Sequence, residues 1–167
     1  GVVTDVPLGD FAEGTWTFTV TSEKPVVAAA RTSTVTLAAD PAASVDFGVD
    51  PVVVSTDFAW FVGTPELAGT ALVSVAKGPS PLLHLANTGS ADAAVTIDAS
   101  EGAGTTVTVP AGRAMALPVV GDLTYTLSGF ASLHASVSYQ GDGSLAGFAV
   151  SPPERISRPV TVYYQFG

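Results

Sequence analysis

The amino-acid sequence predicts an all-β protein built from two related modules of antiparallel β-sandwich type. Apolar and polar residues alternate with a period of two, as in a strand with one buried face. Short strand-like segments are separated by turns rich in Gly, Asn and Pro, at the spacing of sandwiches and barrels. A strand-like segment near the start of the chain also reappears near its end. Helix signals are nearly absent, so we expect sheets throughout.

The internal repeat relates residues 17–21 and 26–30 to residues 124–128 and 133–137 in one register. Self-similarity of this kind indicates a duplicated structural unit. A second match, between residues 58–62 and 145–149, has a shorter offset. The first copy therefore holds extra residues. We interpret these, at about residues 34–54, as an inserted hairpin, because Asp-Pro pairs mark turns at both ends of a short apolar stretch.

The repeat predicts a first module over residues 1–69 and a second over residues 70–167. The second copy has residues 82–117 ahead of its repeated strand, whereas the first has only residues 1–14. We therefore expect the first module to be incomplete, truncated at its N-terminal side. Missing strands leave open sheet edges. The insert, the neighbouring module, a second chain or residues upstream would have to cover them.

The central block predicts four strands whose turns supply Gly and Asn at positions that need local capping or positive φ. The strands are residues 82–87, 93–97, 105–109 and 113–117. The order of an apolar strand, the turn Asn87-Thr88-Gly89 and a second apolar strand resembles immunoglobulin-like sandwiches of bacterial surface proteins. The resemblance implies tandem immunoglobulin-like antiparallel β-sandwich modules.

Residues 83–89, 25–31 and 57–61 resemble those of an uncharacterised family of secreted actinobacterial proteins, a domain of unknown function. The chain has few lysines, Lys24 and Lys77, and many Ala, Val, Thr, Gly and Ser residues. This bias is similar to that of exported wall-associated proteins of high-GC bacteria. The resemblance implies an extracellular or cell-surface location and supplies no catalytic residues.

Composition narrows the function further. Hydrophobic residues make up 47% and charged residues 13%, which argues for a folded chain rather than a disordered one. The net charge of −9 disfavours nucleic acid, whose phosphates bind basic surfaces. Without cysteine there is no thiol catalysis, disulfide or thiolate metal site. No apolar run reaches the length of a membrane span.

Alternation places the aromatic residues of two predicted strands on faces that we expect to be buried. These are Trp16 with Phe18 and Val20, and Trp60 with Phe58 and Val62. In a third predicted strand, residues 160–166, Tyr163 points outward. One outward tyrosine is a poor platform for stacking sugars.

The sequence gives only weak evidence for catalytic or metal-binding residues. His84 and His134 lie in predicted strands without a surrounding motif, and His134 aligns with Val27 in the repeat. No Gly-x-Ser-x-Gly elbow occurs, and we predict no enzyme, no catalytic residue and no cofactor. Asp40, Asp46 and Asp50, with Asp57 beside them, are weak candidates for a cation, because their spacing fits no calcium loop.

The sequence thus favours a non-catalytic structural or protein-interaction module outside the cell or in the cell envelope. Its partner would be an envelope protein or another copy of the chain. The alternative is a carbohydrate-binding module of the cell surface, which outward aromatic residues gathered on one face would favour. A pocket that holds His84 or His134 near a carboxylate would instead favour an enzyme.

Overall fold

A computed structural model describes residues 2–9, 14–37, 53–141 and 143–152. Within these residues the regular structure consists of nine β-strands and no helix. In these stretches no helix has the length and apolar character needed to cross a membrane. The strands are β1 Ala29–Leu37, β2 Val53–Val62, β3 Leu67–Val75, β4 Leu82–Asn87, β5 Ala93–Ala99, β6 Thr105–Val109, β7 Arg113–Pro118, β8 Leu123–Gly141 and β9 Ser144–Ala149.

The described strands form two sheets, in which every pairing is antiparallel. Strands β1 and β2 make a two-stranded ribbon. The other seven strands form one curled sheet in which β8 pairs with β3 and β5 near its start and with β4 and β9 near its end. Strand β6 then pairs with β5, and β7 with β4. The predicted all-β antiparallel class is confirmed.

Strand β8 changes partners where its alternation breaks. Buried positions follow a period of two at Tyr125 and Leu127, shift to Phe130, and resume from Leu133. Gly129 in this interval has φ +87°, a backbone conformation that other residues rarely adopt. A Cβ atom there would also lie 3.3 Å from the carbonyl oxygen of Ala94. A glycine therefore allows the strand to bend from one half of the sheet into the other.

A single hydrophobic core joins the two halves of the curled sheet. Val73, Val95 and Leu127 enter it from the first half, and Leu85 and Val137 enter it from the second. Burial of a side chain of this size contributes about 1.5–3 kcal/mol relative to an exposed position. Every second position of β4 and of the second half of β8 is buried, and the alternating sequence places apolar residues at most of these positions.

Asn87 is the buried polar residue of this core region, and its side chain organises the turn after β4. Its amide nitrogen donates to the carbonyl oxygens of Ala91 (2.8 Å) and Val109 (3.0 Å), and its oxygen accepts from the backbone N–H of Gly89 (2.9 Å). Burial of a polar group is tolerated when its hydrogen bonds are made. The asparagine of the Asn87-Thr88-Gly89 turn thus ties β4 to the end of β6.

The four predicted central strands are confirmed, with β4 and β6 at the predicted bounds. The predicted structural equivalence of the repeat is wrong. Residues 124–128 lie in β8, whereas residues 17–21 form no strand. Residues 14–27 are exposed along their whole length. Of the two similar segments, one therefore belongs to a paired strand and the other does not.

Other predictions on the first part of the chain have mixed outcomes. Trp16, Phe18 and Val20 are exposed, so their predicted burial is wrong. Most of the predicted insert, and all of the predicted strand over residues 160–166, lie outside the described residues. The division into modules at residues 1–69 and 70–167 stays a prediction.

The hydroxyl groups of two tyrosines in β8, Tyr125 and Tyr139, differ in their hydrogen bonding. The hydroxyl of Tyr125 accepts from the backbone N–H of Val120 (2.7 Å) and donates to the carbonyl oxygen of the same residue (3.0 Å). The hydroxyl of Tyr139 is buried and has no hydrogen-bond partner among the described residues. Tyr125 thus fastens the loop before β8, whereas the Tyr139 hydroxyl carries an uncompensated desolvation cost.

We predict that Tyr125→Phe lowers the free energy of unfolding by about 1–2 kcal/mol, because both hydrogen bonds to Val120 are lost. Tyr139→Phe is the matched variant and should leave the free energy of unfolding unchanged or raise it by up to about 1 kcal/mol. Urea unfolding at neutral pH measures both values. Equal destabilisation by the two substitutions would contradict the assigned roles.

Candidate functional site

The pairing of β1 with β2 creates one outward face with a distinctive composition. In this register Ala29 lies opposite Val62, Arg31 opposite Trp60 and Ser33 opposite Phe58. All the described side chains on this side of the ribbon are exposed. We call this surface the ribbon face; it consists of Ala29, Arg31, Ser33, Val35, Thr56, Phe58, Trp60 and Val62.

Large apolar side chains dominate the ribbon face. The exposed fractions are 58% for Phe58, 55% for Trp60, 58% for Val62 and 53% for Val35. The prediction that Trp60, Phe58 and Val62 belong to a core is therefore wrong. Alternation was predicted correctly, but the covered side of β2 carries Ala59 and Phe61 instead. Contiguous exposed apolar side chains mark interaction sites more often than isolated ones do.

Side-chain contacts hold the inner side of the ribbon to strands β8 and β9. The Asp57 carboxylate accepts from the backbone N–H of Leu145 at 2.8 Å. The Phe61 ring lies so close to Gly147 that a Cβ atom at that glycine would overlap it. Beyond β2, the Nδ1 atom of His134 lies 2.9 Å from the carbonyl oxygen of Thr64. These contacts orient the ribbon so that its aromatic side faces outward.

The Asp57 carboxylate is stabilised in its ionised form. Hydrogen bonds from the backbone N–H groups of Leu145 and Phe58 lower the pKa of Asp57 below its ordinary value of 3.8. Each oxygen of the carboxylate accepts one of these hydrogen bonds: Oδ1 accepts from the backbone N–H of Phe58 and Oδ2 from the backbone N–H of Leu145. An ionised carboxylate is the stronger acceptor, so this contact of the ribbon depends on the charge of Asp57.

Arg31 is the charged residue of the ribbon face. Its guanidinium carbon lies 5.8 Å from the centre of the Phe58 ring, within the range of a cation–π interaction. The register also places Arg31 directly across from Trp60. The face therefore combines two aromatic rings, a cation and the hydroxyl groups of Ser33 and Thr56.

His84 on β4 is hydrogen-bonded to β8, and His134 on β8 is hydrogen-bonded to the segment between β2 and β3. The Nε2 atom of His84 lies 2.7 Å from the Ser138 hydroxyl oxygen, and burial lowers the pKa of His84. Among the described residues, neither ring is hydrogen-bonded to a carboxylate. His134 contacts the main chain of Thr64. These partners account for both histidines as parts of the sheet framework.

The candidate cation ligands Asp40, Asp46 and Asp50 lie outside the described residues. Asp57, the acidic residue beside them in the sequence, accepts backbone hydrogen bonds from Phe58 and Leu145. Over the described ranges, no group of three or more His, Asp or Glu side chains is placed to hold a metal ion.

An apolar recess of about 240 Å³ lies at one end of the core. Its walls include Ile97, Val107 and Leu117, and its polar side chains are Thr105 and Tyr125. The Tyr125 hydroxyl is already bonded to Val120. The recess has no charged lining residue, so it offers little to orient a polar substrate.

The described strands define an all-β protein whose β1–β2 ribbon carries an exposed aromatic face. The chain belongs to a family described as "Family of unknown function (DUF5719)", which matches residues 1–133. The match includes the ribbon and extends into β8. No curated protein and no solved structure matches the chain.

We predict that the contribution of Asp57 to stability is present above about pH 4 and disappears at lower pH. A carboxylate whose pKa is lowered by folding stabilises the fold above its unfolded-state pKa, and this contribution is lost as the pH falls through the folded-state pKa. Asp57→Asn should therefore lower the thermal midpoint at about pH 7, and the difference from the native chain should shrink towards about pH 2.5.

The matched control is Glu101→Gln, which neutralises an exposed carboxylate in the turn after β5. This variant should keep a midpoint close to that of the native chain at about pH 7. An Asp57→Asn midpoint equal to the native one at about pH 7 would contradict the role of Asp57, and so would a difference that persists unchanged at about pH 2.5.

Proposed function

We propose that the chain is a non-catalytic binding module that acts outside the cell or in the cell envelope, and that the ribbon face is its contact surface for a glycan. The observation that carries this proposal is the exposure of Phe58 and Trp60 on one side of β2. Aromatic rings supply large, rigid apolar contact areas, and the C–H faces of sugar rings pack against them. Ser33 and Thr56 add hydroxyl groups that can hydrogen-bond to sugar hydroxyls.

The shape of the ribbon face supports an extended ligand. Phe58, Trp60 and Val62 follow one another along a single strand, so their Cα atoms span about 13 Å at the usual rise per residue. The ribbon is two strands wide, so the face is long and narrow. A linear polymer that runs along the strand fits such a strip.

A structural or protein-interaction module is the second candidate. The exposed aliphatic side chains of Val35 and Val62 at the two ends of the ribbon face favour it, because apolar contacts of this kind also occur in protein interfaces. An envelope protein would be the partner. Another copy of the chain is less favourable, since two molecules of net charge −9 repel one another.

We also propose that the curled sheet is an immunoglobulin-like sandwich. Support comes from Tyr125, whose hydroxyl bonds back to the main chain of Val120 just ahead of its strand, as in the tyrosine corner of such sandwiches. The proposed location outside the cell rests on the resemblance of the sequence to exported actinobacterial proteins. The repeat does not support a tandem, since residues 124–128 belong to a strand and residues 17–21 do not.

We predict that the full chain binds glycans on an array of cell-surface polysaccharides and that Trp60→Ala weakens this binding about tenfold. An aromatic contact contributes about 0.5–1.5 kcal/mol beyond the area that it buries. The matched control is Leu72→Ala, because Leu72 is an apolar side chain on β3 with 64% of its surface exposed. This variant should bind as the native chain does.

A pull-down from an envelope fraction runs alongside the array. Capture of one envelope protein by the native chain but not by Trp60→Ala, with no glycan bound, would favour the second candidate. Glycan binding that survives Trp60→Ala unchanged would remove the ribbon face as the contact surface.

A further inference from the structure

We infer that the ligand of the ribbon face is an acidic glycan, whose sugar rings pack on Trp60 and Phe58 while an anionic group binds Arg31. This inference rests on the proposed function and names the class of glycan. It follows from three properties of Arg31: its place on the face, its contact with an aromatic ring, and the lack of an ion pair between it and a carboxylate among the described residues.

The ribbon face is locally cationic in an acidic protein. Among its eight described residues Arg31 is the charged one, and none is acidic. Asp57 belongs to the same strand as Trp60 but points to the other side, where it binds the N–H of Leu145. The whole chain carries a net charge of −9. A single cation on the aromatic strip therefore gives this surface a charge preference opposite to that of the chain.

Arg31 is held in place before any ligand binds. Its guanidinium lies over the Phe58 ring, 5.8 Å from the centre, and this contact restricts a side chain that would otherwise lose much rotamer freedom on binding. Within the described part of the chain no carboxylate forms an ion pair with Arg31. The N–H groups of the guanidinium fork remain available for the bidentate contact that suits carboxylate oxygens.

The register places the cation beside the aromatic strip rather than at its end. Arg31 lies directly across from Trp60 and diagonally from Phe58, at the separations of about 5 Å and 7–8 Å usual for cross-strand neighbours. A sugar ring stacked on Trp60 would therefore bring its ring substituents within reach of Arg31. A carboxylate on such a ring accounts for both the apolar and the cationic parts of the face.

The test compares two soluble β-1,4-glucans that share a backbone: carboxymethylcellulose, which is anionic, and hydroxyethylcellulose, which is neutral. The full chain is titrated with each, at low salt and at about 0.5 M NaCl, where exposed charges are largely screened. The variants are Arg31→Gln, which removes the charge, and Arg113→Gln, which removes an exposed charge on β7. Trp60→Ala reports on stacking.

We expect the native chain to bind carboxymethylcellulose about threefold to tenfold more tightly than hydroxyethylcellulose at low salt, as a partly exposed ion pair allows. Arg31→Gln should bind the two polymers equally, whereas Arg113→Gln should keep the preference. High salt should reduce the preference of the native chain. Trp60→Ala should weaken binding to both polymers.

Equal binding of both polymers by the native chain, lost in Trp60→Ala, would overturn the charge preference and leave the proposed function standing. Failure of the native chain to bind either polymer, with binding only to neutral glycans on the array, would overturn the inference alone; failure to bind any glycan on the array would overturn both. Binding of poly-L-glutamate as tightly as carboxymethylcellulose would show that Arg31 responds to charge without a sugar ring, which also overturns the inference. If Arg31→Gln still binds carboxymethylcellulose more tightly than hydroxyethylcellulose, another cation causes the preference and the inference about Arg31 is wrong.

Discussion

Strand β8 is the element on which the curled sheet depends. It pairs with four strands, β3 and β5 through its first half and β4 and β9 through its second. This arrangement requires a bend between the halves, and Gly129 adopts a positive φ where the strand passes close to the carbonyl oxygen of Ala94. Because both halves bury residues in one core, the bend also fixes how the two halves of the sheet face each other.

The ribbon is attached to this sheet in a different way. Its described contacts with β8 and β9 are made by side chains, through Asp57 and Phe61, and by the main chain of Thr64 against His134. Side-chain anchoring covers one side of β2 and leaves the other exposed. The aromatic side of the ribbon is therefore exposed because the opposite side makes the contacts with the sheet. The ionised Asp57 carboxylate makes one of these contacts, and Trp60 lies on the exposed side of the same strand.

Residues that suggest chemistry in the sequence act as structural connections in the described part of the fold. His84 bonds to Ser138 across neighbouring strands, and Asp57 accepts two backbone N–H groups. Each partner satisfies a polar group that would otherwise be costly to bury or leave unpaired. The groups that the ribbon face presents outward are the rings of Phe58 and Trp60 and the guanidinium of Arg31.

Sequence alone determined the local features of the protein. The bounds of β4 and β6, the buried alternation in the second half of β8 and the Asn87 turn were predictable, since turn residues and period-two patterns express local geometry. Only the tertiary structure decided that Phe58 and Trp60 lie outside while Ala59 and Phe61 lie inside, and that residues 17–21 form no strand. An alternating sequence shows which residues share a face of a strand, but it does not show which face packs against the rest of the protein. That depends on tertiary contacts, because a face is buried only where another part of the protein covers it.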